Sequence, residues 1–307
     1  MILTVTLNLA LDVTYHVPDV AWGAANRVAR VDARAGGKGV NVARVLHALG
    51  HETAVTGLAG GPTGEAVRAD LARAGLPDAL VPIAAETRRT VAVTDGGDAT
   101  GFWEPGPPVT EVEWRRFLDA FGGLLRDAHA VVLSGSLPDG LPPDAYATLC
   151  REAATADVPA ILDTSGNALT RGLSGRPAIV KPNADELAEA AGAGGAAGDP
   201  LEAAEGLRRA GAGAVVASLG AGGLVAVTGE GRWRARPPED VRGNPTGAGD
   251  AAVAALAVGL VAGTPWPERL ADAAALSAAA VHAPVAGEFD AAAYARYRAS
   301  VRAERLH

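Results

Sequence analysis

The chain contains 307 residues, with 27 lysines and arginines against 35 aspartates and glutamates and a formal net charge of -8. This length suits one large α/β domain or two smaller ones, and the acidic balance argues against nucleic acid or an anionic membrane as a partner, because both attract clustered positive charge. Cys150 is the one cysteine in the sequence, which excludes an internal disulfide and a cysteine-based zinc site and favours a cytoplasmic protein.

The predicted elements alternate between strands and helices. Residues 1–7 alternate apolar and polar side chains without a basic leader, which predicts a first strand rather than a signal peptide. Apolar runs predict further strands at 53–59, 130–133, 160–162, 178–180 and 214–217. Helical spacing of apolar residues predicts helices at 40–49, 64–74, 111–126, 143–156, 185–191 and 201–210. This order predicts an α/β fold, a doubly wound, mainly parallel sheet with helices on both faces, in a single domain over residues 1–307.

Two regions, 14–34 and 90–103, interrupt this rhythm with short polar strand-like pieces between Pro, Gly and Asp-Gly turns. We expect them to form a small β-sheet that acts as a lid over a ligand site at the carboxyl ends of the main strands; two separate surface excursions are the alternative. The longest apolar run, 251–262, is shorter than the roughly 20 residues that cross a bilayer, so it predicts a buried core helix and no membrane partner.

Lys38 and Lys181 are the only lysines among the 27 cationic residues. A compact ammonium kept at two positions of an arginine-rich chain suggests a point charge for a phosphate or for ATP, where a planar guanidinium is not equivalent. Chance survival of two lysines explains the count equally well.

The most informative motif is Asn-Pro-Thr-Gly-Ala-Gly-Asp at 244–250, directly before the long apolar run. Its glycines permit backbone conformations that larger residues avoid, and the helix that follows offers unpaired N–H groups and a positive dipole end to an anion. Asp250 would lie in the first helical turn, where it could take a proton from a hydroxyl that attacks a phosphoryl group. The alternative is a glycine-rich turn with Asp250 as a helix N-cap.

A second glycine-rich segment, Ala-Gly-Gly-Lys-Gly-Val-Asn-Val-Ala-Arg at 35–44, opens a predicted helix. It is not a Walker loop, and no G-x-G-x-x-G follows the first strand, so the corresponding NTPase and dinucleotide classes are weakly supported. The segment predicts either a close approach of the backbone to a small polar ligand, contacted by Lys38 and Asn41, or a bare helix start.

The segment Lys-Pro-Asn-Ala-Asp-Glu at 181–186 follows the predicted strand 178–180. Asn183 and Glu186 share one face of a helix start, and their oxygens suit Mg²⁺ with retained waters. We prefer the alternative, a capping box with Asn183 as N-cap and Glu186 at N3.

Other polar segments close predicted strands, where open α/β sheets keep their ligands. Residues 218–223 turn from a strand into a hairpin and either make room for a nucleotide or form a plain turn, while 134–138 and 163–166 lie likewise at strand ends. Asp12 either hydrogen-bonds a sugar diol or caps a turn. The sequence contains no paired-histidine metal motif and no G-x-S-x-G serine motif.

Together, and in this order, these segments resemble the PfkB group of ribokinase-like carbohydrate kinases over essentially the whole chain. The most diagnostic are Gly-Gly-Lys-Gly-Val-Asn-Val-Ala at 36–43 and Gly-Ala-Gly-Asp at 247–250. Several shorter segments resemble the phosphofructokinase branch, which phosphorylates sugars that already carry a phosphate. These segments are 6–8, 10–12, 87–88, 104–107, 134–138 and 163–166.

The resemblance implies a ribokinase-like fold and an enzyme that uses ATP and Mg²⁺ to phosphorylate a phosphorylated ketohexose. The first expectation is 1-phosphofructokinase, which converts fructose 1-phosphate to fructose 1,6-bisphosphate. Tagatose-6-phosphate kinase and 6-phosphofructokinase are the alternative activities, and a sugar-phosphate sensor without catalysis is the alternative of another class. The resemblance also implies a homodimer that forms through the lid strands.

Roles for individual residues follow from the same resemblance. Asp250 becomes the catalytic base, and the backbone of Gly247, Ala248 and Gly249 becomes the anion hole. The sugar phosphate is expected to contact Asp12, Gly37, Lys38, Asn41 and Ser136, with Arg88 and Arg27 on its phosphate. The ATP side is expected to include Lys181, Asn183, Ser218, Gly220, Gly223 and Asn244, and Mg²⁺ with its waters is assigned to Asn183 and Glu186.

Two positions depart from the family pattern. Leu9 stands where the family opening usually has proline, and Thr90 replaces the asparagine often found two positions after Arg88. Because Thr90 lies near the expected sugar site, its change bears on which hexose phosphate is preferred. Asn-Pro-Thr at 244–246 is similar to the corresponding segment of tagatose-6-phosphate kinases.

Overall fold

The computed structural model of the protein describes residues 1–95, 99–192, 198–237, 239 and 241–306. Its strands are β1 Ile2–Thr6, β2 Ala10–His16, β3 Arg30–Gly36, β4 Thr53–Ala59, β5 Val81–Pro82, β6 Arg88–Thr94, β7 Ala99–Trp103, β8 Ala130–Ser134, β9 Ala160–Asp163, β10 Ile179–Val180, β11 Ala214–Ser218, β12 Leu224–Val227, β13 Arg232–Ala235 and β14 Ala303–Leu306. Its helices are α1 Lys38–Ala48, α2 Gly61–Arg73, α3 Glu111–Leu125, α4 Ala145–Thr155, α5 Gly166–Gly172, α6 Ala184–Ala191, α7 Pro200–Arg209, α8 Ala248–Val261, α9 Trp266–Ala280 and α10 Ala291–Ser300.

Most strands belong to one large sheet. Within the described residues its ten strands run in the order β14-β13-β12-β11-β10-β9-β8-β1-β4-β5. In this spatial order, the seven strands from β11 through β10, β9, β8, β1 and β4 to β5 are parallel to one another. Strand β12 pairs antiparallel with β11, and the pairs β12–β13 and β13–β14 are also antiparallel. Every residue of β1, β4, β8, β9 and β10 is buried, and burial on both faces explains why these strands are largely apolar in sequence. The predicted mainly parallel sheet is confirmed.

Helices cover both faces of this sheet, as predicted. One face packs with apolar side chains that include Phe117 and Phe121 of α3 and Leu149 of α4. The other face packs against α1, α8, α9 and α10, with Leu256 and Leu270 in the contact layer. Helix α8 is buried along most of its length, which confirms the core helix predicted from the apolar run. In the described part of the chain, no helix is long and apolar enough to span a bilayer.

The predicted small sheet is confirmed, with longer strands than expected. It contains β3, β2, β6 and β7 in that order, so segments that are far apart in sequence meet. Strand β2 begins at Ala10 rather than in the predicted region 14–34, and β6 begins at Arg88. The small sheet therefore starts close to the carboxyl end of β1. Residues 96–98, inside the predicted region 90–103, lie outside the described residues.

Strand register gives the small sheet one polar and one apolar face. Asp12 lies opposite both Arg34 and Thr90, and alternation along the strands puts these side chains on one face. Val13, opposite Val91, lies on the other face. That face also carries Tyr15, Val31, Val93 and Phe102 by the same register.

Candidate active site

The chain reverses its direction of travel across the large sheet at β1, which has β4 on one side and β8 on the other. Open α/β sheets bind ligands at the carboxyl ends of the strands beside such a switch point. In the described structure, buried polar atoms at these ends have no hydrogen-bond partner: Thr6 Oγ1, Asn8 Oδ1, Ser134 Oγ and Asp163 Oδ2. Buried polar groups are rarely left unpaired, so this cluster marks the candidate site.

Gly247 shapes the start of α8 at this site. It is the N-cap, with a φ of 88° in the left-handed region, and a Cβ there would lie 2.7 Å from Cα of Ala286. The predicted turn into a helix is therefore confirmed. The N–H of Ala248 donates to the carbonyl of Pro245 at 3.2 Å, while the first amides of a helix generally lack intrahelical acceptors. The amide of Ala248, one of the three residues predicted to form the anion hole, is therefore already hydrogen-bonded in this structure.

Asp250 lies in the first turn of α8 and is 7% exposed. The alternative role as N-cap is wrong, because Gly247 occupies that position and no side chain caps the helix. The carboxylate instead accepts a hydrogen bond from Nδ2 of Asn41 at 2.8 Å. Burial and, next, the charge of Asp163 raise the pKa of Asp250 to about 7, against the lowering effect of Asn41 and the two lysines. A carboxyl group with this pKa is suited to accept a proton near neutral pH.

Both lysines of the sequence meet at one carboxylate. Nζ of Lys38 lies 3.3 Å and Nζ of Lys181 lies 3.5 Å from Oδ1 of Asp163, a side chain that is 1% exposed. A Cβ at Gly249 would lie 3.3 Å from Nζ of Lys181, so this ammonium lies beside the start of α8. Burial lowers the pKa of Lys38, but the charges of Asp163, Glu186 and Asp250 outweigh it and raise the pKa above its ordinary value. The structure thus brings three of the predicted segments together.

Asp163 belongs to the segment 163–166 that was predicted to lie at a ligand-binding strand end, but no individual role was predicted for it. The available signal was its position, a charged residue that closes the buried run Ala-Ile-Leu-Asp of β9. Charged residues are seldom fully buried unless they are paired. The two partners that pair it come from distant parts of the chain, so the sequence did not reveal them.

Gly37 brings α1 against the end of β1. It is the N-cap of α1 with a φ of 109°, and a Cβ there would lie 2.7 Å from Cγ2 of Thr6. The helix begins at Lys38, two residues before the predicted start, so Lys38 and Asn41 both lie in its first turn. The predicted close approach of this backbone to a small ligand stays a prediction.

The preferred capping box at the start of α6 is confirmed. The N–H of Glu186 donates to Oδ1 of Asn183, and the N–H of Asn183 donates to Oε2 of Glu186, each at 2.8 Å. The other oxygen, Oε1 of Glu186, lies 3.8 Å from Nζ of Lys38 and faces the cluster. Among the described residues no group of three or more acidic, histidine or cysteine side chains could hold a metal. One carboxylate oxygen and an amide fit Mg²⁺ only if phosphates and waters complete its shell, which is the common arrangement.

The polar face of the small sheet borders the same site. The carboxylate of Asp12 accepts a hydrogen bond from Thr90 Oγ1, and burial raises the pKa of Asp12. Asp12 belongs to β2, so the alternative role in capping a turn is wrong. Arg88 donates to the carbonyl of Asn8 at 3.3 Å, and Nδ2 of Asn8 donates to Oγ of Ser136 at 3.0 Å. Two predicted sugar-site residues, Arg88 and Ser136, therefore contact Asn8.

Arg34 is a further cation on this face that the sequence analysis did not single out. Its guanidinium lies 3.5 Å from the carboxylate of Glu288 and its pKa is lowered by burial and by Arg44. Arg27, in contrast, lies in the exposed connection between β2 and β3. The structure of this chain does not bring Arg27 to the cluster around Asn8.

The predicted ATP-side residues lie beside the start of α6, in the turn after β11 and in the turn before α8. Ser218 ends β11, and its N–H donates to the carbonyl of Pro182 at 3.1 Å, which puts it beside Asn183. The predicted hairpin is confirmed, since Gly220 and Gly223 lie in the turn between β11 and β12. Asn244 shapes the turn before α8, with Oδ1 accepting from the N–H of Thr246 at 3.0 Å and Nδ2 donating to the carbonyl of Pro284 at 3.1 Å.

Comparison with known protein families matches residues 6–291 to the pfkB family carbohydrate kinases. The chain belongs to the PfkB family. Phosphofructokinase-2 from Escherichia coli is 29% identical over 97% of this chain and 98% of that chain, with a TM-score of 0.89. A protein from Thermotoga maritima described as a possible 1-phosphofructokinase is 27% identical over 100% of this chain and 99% of that chain, with a TM-score of 0.86. The present PfkB protein is an ATP-dependent sugar kinase.

The raised pKa of Asp250 predicts a pH-dependent cost to stability in this PfkB kinase. The pKa is about 7 in the folded protein against an ordinary 3.8, so the stabilising contribution of Asp250 is fully present below the lower value and is lost as pH rises through the higher one. Asp250→Asn removes this decline. We expect the variant's free energy of unfolding, relative to wild type, to increase by roughly 2–3 kcal/mol between pH 5 and pH 8. Urea unfolding of both proteins at the two pH values measures the difference, and a pH-independent difference would contradict it.

Proposed function

We propose that the protein transfers the γ-phosphoryl group of ATP to a hydroxyl of a ketohexose that already carries a phosphate, with fructose 1-phosphate as the first candidate. The observation that carries the proposal is the buried carboxylate of Asp250, hydrogen-bonded to Asn41 at the start of α8. Cations on both flanks support it, with Lys38 and Lys181 on one side and Arg88 on the small sheet.

The proposed reaction is an in-line displacement. The acceptor hydroxyl oxygen bonds to the γ-phosphorus, the bond from that phosphorus to the bridging oxygen of ADP breaks, and the hydroxyl proton passes to the carboxylate of Asp250. The positive start of α8 and the two ammonium groups meet the negative charge on the transferring group. Asn183 and Glu186 would hold Mg²⁺ and its waters, and bound Mg²⁺ supplies charge neutralisation to the ATP phosphates.

Substrate recognition is assigned to the polar face of the small sheet. Asp12 is expected to accept hydrogen bonds from sugar hydroxyls, and Arg88 to grip the phosphate that the sugar already carries, a role suited to a planar guanidinium. Thr90 occupies one side of the Asp12 carboxylate, so the departure at this position affects the same sugar contact. Leu9, the other departure, is buried in the apolar cluster that includes Ala35 and Val40. The departure at this position therefore affects the packing of that cluster.

A second candidate substrate is fructose 6-phosphate. Phosphofructokinase-2 from Escherichia coli, in the complex with fructose 6-phosphate, is 29% identical to this chain with a TM-score of 0.86. The similarity of the 244–246 segment to tagatose-6-phosphate kinases keeps tagatose 6-phosphate as a third candidate substrate.

ATP as substrate and the buried free thiol of Cys150 favour a cytoplasmic location. The proposal takes the whole chain as one kinase domain, with the small sheet as its lid.

Release of ADP in a coupled assay tests the activity. We expect ATP consumption with fructose 1-phosphate, fructose 6-phosphate or tagatose 6-phosphate, and far less with free fructose. Asp250→Asn should reduce kcat by about 100-fold or more, because general-base help is lost, with sugar binding little altered. Binding of a sugar phosphate without ATP consumption would instead support a non-catalytic sensor. A variant with most of its kcat would remove Asp250 as the base.

Arg88→Ala tests the grip on the phosphate, with Arg89→Ala as its matched control. The two arginines are neighbours in β6 on opposite faces, and Arg89 is exposed and paired with Glu104. Loss of a charged hydrogen bond should raise the KM for a sugar phosphate by about 10- to 100-fold, whereas Arg89→Ala should change it less than about twofold. An equal rise in KM for free and phosphorylated sugars would contradict the assigned role.

We also infer that a second copy of the chain covers the apolar face of the small sheet. Val31 and Phe102 on that face are 54% and 51% exposed, and contiguous exposed apolar surface commonly marks an interface. Two such faces are self-complementary in a twofold dimer. Phosphofructokinase-2 from Escherichia coli has a tetrameric inhibited form and is 29% identical, which supports association in this family.

Light scattering should therefore give a mass twice that of the 30.8 kDa chain. Phe102→Glu puts a charge into the proposed contact and should yield a monomer, because an unpaired charge is costly to bury. Val112→Glu is the control. Val112 is 62% exposed on α3, a helix that packs on the large sheet, so its change should leave the mass unaltered. A monomeric wild type would overturn this arrangement.

A further inference from the structure

We propose that Asp163 is the positioning residue of this kinase: its carboxylate holds the ammonium groups of Lys38 and Lys181 where the phosphoryl group is transferred. The inference rests on the proposed function and assigns a residue that the catalytic assignment above does not use.

The first support is the geometry of the ion pair. A single oxygen, Oδ1 of Asp163, lies within 3.3 Å of Nζ of Lys38 and 3.5 Å of Nζ of Lys181. Lys181 is 3% exposed, so its ammonium has little access to water. Two ammonium groups this close to each other repel unless an anion lies between them. Asp163 therefore permits both cations to occupy one small volume.

The second support is the rigidity of strand β9, which carries Asp163. Asp163 closes β9 in register with Ser134 of β8, and its carbonyl accepts a hydrogen bond from the N–H of Gly135 at 3.0 Å. Lys38, by comparison, has a side chain that is 38% exposed, and a long exposed ammonium samples many rotamers. The ion pair with a strand-end carboxylate limits that freedom before ATP binds, which is how preorganised sites lower the cost of charge stabilisation.

The third support is the unused oxygen. Oδ2 of Asp163 is buried and has no hydrogen-bond partner among the described residues. A carboxylate present only to stabilise the fold would be expected to satisfy both oxygens, because each unmet acceptor costs free energy. Exceptions to that rule are concentrated at functional sites, where structure is kept for chemistry rather than stability.

The charge of Asp163 also acts on Asp250. The groups that face Asp250 are Lys38 and Asn41 from α1, Asp163 from β9 and Lys181 from the end of β10, with Glu186 of α6 next to Lys38. Burial and the charge of Asp163 raise the pKa of Asp250, and the two lysines lower it. Without the negative charge, the two cations would act unopposed and Asp250 would hold a proton less tightly. A base with a lower pKa accepts the hydroxyl proton less readily.

The experiment compares the pH dependence of kcat/KM in wild type and Asp163→Asn, an isosteric change that removes the charge. We expect kcat to fall by about tenfold or more and the acid limb of the profile to move to lower pH by about one unit. Use of one sugar phosphate throughout cancels the titration of the substrate itself. Asp157→Asn is the control for a lost aspartate charge. Asp157 is exposed before β9 with a φ of 57°, a conformation that asparagine also adopts.

Thr164→Ala separates a structural effect from an electrostatic one. Thr164 is 2% exposed and its hydroxyl donates to the carbonyl of Gly135 at 2.8 Å, so the change loosens the same strand end without altering charge. We expect it to lower stability and leave the acid limb in place. If Asp163→Asn does not fold, the neutral double variant Asp163→Asn, Lys181→Met replaces it, since it removes one charge of each sign. In that protein the limb should lie near the wild-type position while kcat stays low.

The outcomes distinguish this inference from the proposed function. No ATP consumption by wild type with any of the sugars overturns both. An active wild type whose acid limb is unmoved in Asp163→Asn, or moves equally in Thr164→Ala, overturns the role of Asp163 alone. A shifted limb with reduced kcat in Asp163→Asn, and neither change in Asp157→Asn, supports it.

Discussion

One buried carboxylate holds two ammonium groups at the carboxyl edge of the parallel sheet, and the candidate site is organised around this ion pair. Asp163 closes β9, Lys181 follows β10 and Lys38 begins α1, so the interaction joins two neighbouring strands to the first helix. Buried charges persist only when they are paired. A change in any one of the three therefore alters the charge that the other two, and Asp250 beside them, experience.

The two sheets differ in how deeply they are buried and in the side chains that they present. The large sheet is buried on both faces and fixes where β1, β8 and β9 end. Alternation along the strands of the small sheet gives it a polar face with Asp12 and Arg88 and an apolar face with Phe102. In the proposed enzyme, one strand pattern thus serves the sugar site and the contact with a second copy.

Prediction from the sequence succeeded where one local pattern dominated. The bounds of β4 were predicted without error because burial on both faces makes the strand largely apolar, with threonine as its only polar residue type. Strands β13 and β14 were not predicted, because Arg-Trp-Arg-Ala and Ala-Glu-Arg-Leu carry charges at the antiparallel edge of the sheet and resemble surface turns. The early start of β2 was missed for a related reason, since Asp12 interrupts the apolar pattern of Ala10 and Leu11.

Local sequence was sufficient for the α/β class, for the glycine-shaped helix starts at Gly37 and Gly247, and for the capping box of Asn183 and Glu186, because each depends on residues within one turn. The pairing of Lys38 with Asp163 and of Asn41 with Asp250 joins positions 125 and 209 residues apart. Contacts at such separations arise from the order in which the strands assemble, and no local pattern encodes them. For the same reason the raised pKa of Asp250 is a property of the folded chain: burial and a neighbouring carboxylate exist only after β9 and α8 have come together.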